Sequence, residues 1–78
     1  MLSPQQVLDT YYLEARRDLL EIAALLDRHD AAIARNPGAP DGNDEKLLML
    51  RRALAHLADA DSPAGTRTAD LLKMFSEI

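Results

Sequence analysis

Two histidines, His29 and His56, and the carboxylates Glu14, Asp18 and Glu21 are the side chains of this 78-residue chain that could do chemistry. The carboxylates recur at helical spacing, which invites comparison with carboxylate-bridged metal sites on helical bundles. Such a site takes a Glu-x-x-His pair from each of two helices and further glutamates aimed inward. Here Leu26 and Ala53 stand three residues before the two histidines, where those glutamates would have to be. The spacing therefore argues against a metal centre, and no metal-ligating or cofactor-binding residue is assigned.

His29 still occupies one slot of an apolar line, so one reading makes it a ligand or proton carrier beside Asp18 or Asp30. The simpler reading is structural, because it lies near a helix end, where a cation complements the dipole. His56 falls on a polar face with solvent as its expected neighbour. Nucleophile chemistry is equally poorly supported. The chain has no cysteine and no glycine-rich phosphate loop, and Ser3, Ser62 and Ser76 sit at caps or on a polar face without a base close in sequence. No catalytic residue emerges, and the chain is not expected to be an enzyme.

The element that would position these groups is a long first helix, expected over about residues 4–34. Ser3, Pro4 and Gln6 make an S-x-x-Q capping box with proline at the first helical position. From Leu8 onward, Tyr12, Ala15, Leu19, Ile22, Leu26 and Ile33 follow in alternating steps of four and three, with His29 filling the remaining slot. Tyr11 joins this principal stripe, and a buried hydrogen bond from Tyr11 to Asp18 beside it is expected. A second, weaker stripe of Leu13, Leu20, Ala24 and Ala31 runs on nearly the opposite side. Two apolar stripes call for two neighbours. Between them lie two polar strips, Glu14, Arg17, Glu21 and Arg28 on one flank and Asp9, Arg16 and Asp27 on the other. Both read most simply as solvated faces, with Glu14 to Arg17 and Arg17 to Glu21 at spacings where opposite charges meet.

Prolines and glycines concentrated between Arg35 and Gly42 break the helix, and Gly38 is available for a left-handed exit. The loop is placed at residues 35–43, with Asn43 or Asp41 capping a second helix over about 44–60. Leu47, Leu50, Leu54 and Leu57 line its apolar face, opposite Glu45, Arg52, His56 and Asp59. A turn at 61–65 follows, where either Ser62 before Pro63 or Thr66 after Gly65 begins the third helix. That helix, about 66–77, presents Thr68, Leu71, Leu72, Phe75 and Ile78 opposite Asp70, Lys73 and Glu77. Its pattern is still running where the chain ends, so its end is expected to be docked or cut short.

The fold expected is all-α: one domain over residues 1–78, arranged as a helical hairpin or three-helix bundle or contributing to a dimeric bundle. At this size a single core supplies only about 3–5 kcal/mol, which makes oligomerisation attractive. The first helix would reach about 45 Å and the second only about 26 Å. Helix 3 or a second copy must cover the rest. Thirteen acidic against nine basic residues give a net charge of -4 without clustered lysine or arginine, which argues against a nucleic-acid partner. The longest apolar run, Ile22 to Leu26, is far too short to cross a membrane. With no targeting signal at its start, a cytoplasmic setting is expected.

The segments Tyr11 to Arg16, Leu19 to Ala24 and Leu26 to Arg28 resemble the opening of a group of short bacterial helical proteins of uncharacterised role. Leu50 to Leu54 and Arg67 to Phe75 are compatible with the rest of that pattern. The resemblance implies no activity and no cofactor, but it marks Glu14, Arg16, Asp27 and Arg28 as a surface to test.

Taken with the second stripe, the expected interaction surface is Leu13, Arg16, Leu20, Ala24, Asp27 and Ala31. The function expected is protein–protein interaction or a structural role, the partner being a second copy of the chain. An accessory subunit docking on an enzyme through helix 1 is the alternative, and a small-ligand or metal-binding bundle ranks third.

Overall fold

The computed structural model describes residues 1–38 and 45–77. Those residues form three helices and no strand: α1 (Pro4–Arg35), α2 (Glu45–Ala58) and α3 (Arg67–Phe75). The expected caps at Asp41 or Asn43, and Ile78 of the third helix, lie outside the described residues. The chain divides into two compact units, Met1–Ala39 and Pro40–Ile78.

The first unit is built on α1, 32 residues long and about 48 Å from end to end. It begins as its first residues dictate. Ser3 Oγ accepts from the Gln6 backbone N–H at 3.1 Å, while Gln6 Oε1 accepts from the Ser3 N–H at 2.8 Å, with Pro4 following the cap. Two donors that a helix start leaves unpaired are thereby satisfied. The helix ends at Asn36, whose N–H donates to the Ile33 carbonyl and whose side-chain amide donates to the Ala32 carbonyl at 2.9 Å. Gly38 was expected to supply a left-handed exit, but Gly65 is the one described residue with positive φ. Asn36 closes the last turn with its own side chain, so no left-handed residue is required there.

No residue of α1 is buried. Of the principal stripe, Leu8, Tyr12, Ala15, Leu19 and Ile33 are exposed, and Ile22, Leu26 and His29 are intermediate. The expected Tyr11 to Asp18 hydrogen bond is absent. Tyr11 is exposed, and Asp18 instead accepts from the neighbouring Arg17 guanidinium at 3.3 Å. That contact also replaces the Glu14 to Arg17 and Arg17 to Glu21 pairs, since the nearest carboxylate takes the one guanidinium.

In the second unit α2 and α3 pack against each other. Its buried residues are Met49 and Ala53, one turn apart on α2. The expected leucine line is off-centre: Leu47, Leu50 and Leu54 are intermediate and Leu57 is exposed. At 100° per residue the buried pair lies about a quarter-turn from the middle of that line. α3 is turned likewise, with Arg67, Asp70, Leu71 and Met74 of intermediate exposure while Leu72 and Phe75 are exposed. A hydrogen bond from the side chain of His56 to Asp70 accounts for this orientation, because it needs both polar groups on the facing sides.

Asp59 organises the turn between the two helices. Its side chain accepts from the Asp61 N–H at 2.9 Å, and its carbonyl accepts from the Ser62 N–H and from the Arg67 guanidinium. Gly65, at φ 77°, then reverses the chain into Thr66, the residue that precedes α3. Of the two starts read from the sequence, Thr66 holds. Ser62 caps nothing, and its hydroxyl is buried without a hydrogen-bond partner.

Candidate interaction surface

α1 brings Leu13, Arg16, Leu20, Ala24, Asp27 and Ala31 onto one side, within a sector of about 80° at 100° per residue. All six are exposed, the leucines strongly so at 71% for Leu13 and 57% for Leu20. Two leucines and two alanines form a shallow apolar strip, and Arg16 and Asp27 mark one edge. Neither charge has a hydrogen bond or ion pair among the described residues, in contrast to Arg17 and Asp18 beside them. An exposed helical side with apolar residues at its centre and unpaired charges at its margin suits association with another helix.

The groups singled out for chemistry are dispersed. Glu14, Asp18 and Glu21 are exposed along α1, and His29 is intermediate. Among the described residues no group of three or more histidine, cysteine, aspartate or glutamate side chains is placed to hold a metal ion. A shallow groove of about 260 Å³ on the second unit is lined by Glu45, Leu48, Met49, Arg52 and Glu77. It falls below the ~300 Å³ at which small-molecule sites begin.

One constellation lay outside the sequence reading. His56, placed there on a solvated face, is half-buried, and its Nε2 is 2.9 Å from Asp70 Oδ2 across the α2–α3 contact. With the imidazole engaged this way, the pair acts as a clasp between two short helices. A signal for it existed in the chain, because His56 shares its side of α2 with Met49 and Ala53, at spacings of seven and three.

No helix among the described residues is long and apolar enough to cross a membrane. Three helices, of which α2 alone has buried residues among the described ones, make the fold all-α. Comparison with protein-family models, curated proteins and solved structures gives no match.

Proposed function

We propose that this chain is a protein–protein interaction element that self-associates through α1 and carries no chemistry of its own. The observation behind this reading is the first unit. A helix of 32 residues has no buried side chain yet displays Leu8, Tyr12, Leu13, Leu19, Leu20 and Ile33. In folded proteins most helical stability comes from packing an apolar face rather than from helix propensity. Such a helix is stabilised by whatever covers it. The dispersed carboxylates, the His56 clasp and the small groove support assigning it no chemistry.

Sedimentation equilibrium of the chain at micromolar concentration tests the proposal. The expected result is a mass of twice the 8.6 kDa of one chain. A monomer throughout the concentration range overturns self-association and favours docking on a different protein.

A further inference from the structure

We infer that the partner helix is a second copy of α1 running antiparallel, with a two-fold axis that crosses the interface at the level of Ile22. This rests on the self-association proposed above and adds its orientation and register. The argument comes from how the six exposed residues are spaced. Leu13 and Ala31 lie nine residues to either side of Ile22, Leu20 and Ala24 lie two to either side, and Arg16 and Asp27 lie six and five. An antiparallel pair centred there sets each leucine against an alanine of the other copy and each arginine within about 1.5 Å, one residue's rise, of the level of an aspartate.

Each residue thus meets its complement. Leucine facing alanine fills space without collision and lets the axes approach closely. Arg16 and Asp27, which have no partner among the described residues of their own chain, gain one, and the symmetry makes the contact twice. A parallel, in-register pair does the reverse. It sets Leu20 against Leu20 and Ala24 against Ala24, leaving one layer crowded and the next hollow. It also brings Arg16 to Arg16 and Asp27 to Asp27, and like charges so placed disfavour the complex. All six residues are exposed and thus open to a partner.

The chain has no cysteine, so introduced thiols report orientation without background. Residues 13 and 31 of one helix are about 27 Å apart, which bars a disulfide within one copy. In the antiparallel dimer, Leu13→Cys/Ala31→Cys gives a covalent dimer on mild oxidation. An equimolar mixture of the two single variants gives the mixed dimer, and each single variant alone stays uncrosslinked. Crosslinking of either single variant with itself points to a parallel pair and overturns the inference.

Charge exchange supplies an independent readout in the event that a cysteine variant misfolds. Arg16→Asp or Asp27→Arg alone weakens dimerisation by roughly tenfold, and the two together restore it to within about threefold. Additive losses in the double variant overturn the inference. A chain that sediments as a dimer but shows neither the crosslinks nor the charge rescue retains self-association and loses this register. A chain that sediments as a monomer loses both.

Discussion

At the scale of residues, the clasp between His56 and Asp70 is the contact that ties α2 to α3, at 2.9 Å with side-chain exposures of 23% and 40%. Partial exposure of Asp70 lets solvent screen it, so the expected contribution is that of an ordinary hydrogen bond. Replacing His56 by Ala should lower the opening free energy of α2 and α3 by about 1 kcal/mol, read from amide hydrogen exchange. Combined with Asp70→Ala, the losses should be less than additive; full additivity would show that the two side chains act separately. The two serines make a contrast that hydropathy alone does not. Ser3→Ala removes a working cap and should destabilise the start of α1 by about 1 kcal/mol. Ser62→Ala removes a buried hydroxyl with no partner, and should leave stability unchanged or raise it. Gly65→Ala meets no atom within 4 Å, yet φ at 77° should make it cost about 1 kcal/mol. Urea denaturation of each variant checks these signs.

For the elements, what could be read from the sequence was what each element determines locally. Ser3, Pro4 and Gln6 specify the start of α1 within a single turn, and the structure begins the helix there. Alternating steps of three and four made the three helices visible. Facing directions were harder to read, because a short helix is oriented by what it docks on. The leucine stripe of α2 is the more hydrophobic side, but Met49 and Ala53 are the buried residues. The small Ala53 admits a close neighbour, and the polar clasp turns both helices to bring His56 and Asp70 together. Of a contact between residues fourteen positions apart, the periodicity of α2 shows only that His56 shares a side with Met49 and Ala53, not that Asp70 meets it. The six positions of the proposed interaction surface fall together on one exposed side because they all lie on one regular helix. Its test at this scale is Leu20→Glu. Leu20 is 57% exposed, so the charge meets no packed neighbour within one chain, and the variant should shift the mass toward monomer with α1 losing helicity and amide protection alongside it. An unchanged dimer would place association on another side of the helix.

For the molecule as a whole, the two units differ in how they are stabilised. Residues Pro40–Ile78 have a small buried centre and a polar clasp. Among the described residues of Met1–Ala39 there is one capped helix with short flanks and no buried residue. A cap contributes about 1 kcal/mol, far less than the ordering of 32 residues requires. Under the proposed self-association, the first unit gains its stability from the second copy, and its order should depend on protein concentration. Hydrogen exchange along α1 as a function of protein concentration tests this most directly. The account predicts that amides between Leu13 and Ala31 become more protected as concentration rises through the dimerisation range, while those of α2 do not change. Exchange along α1 that is independent of concentration would contradict it.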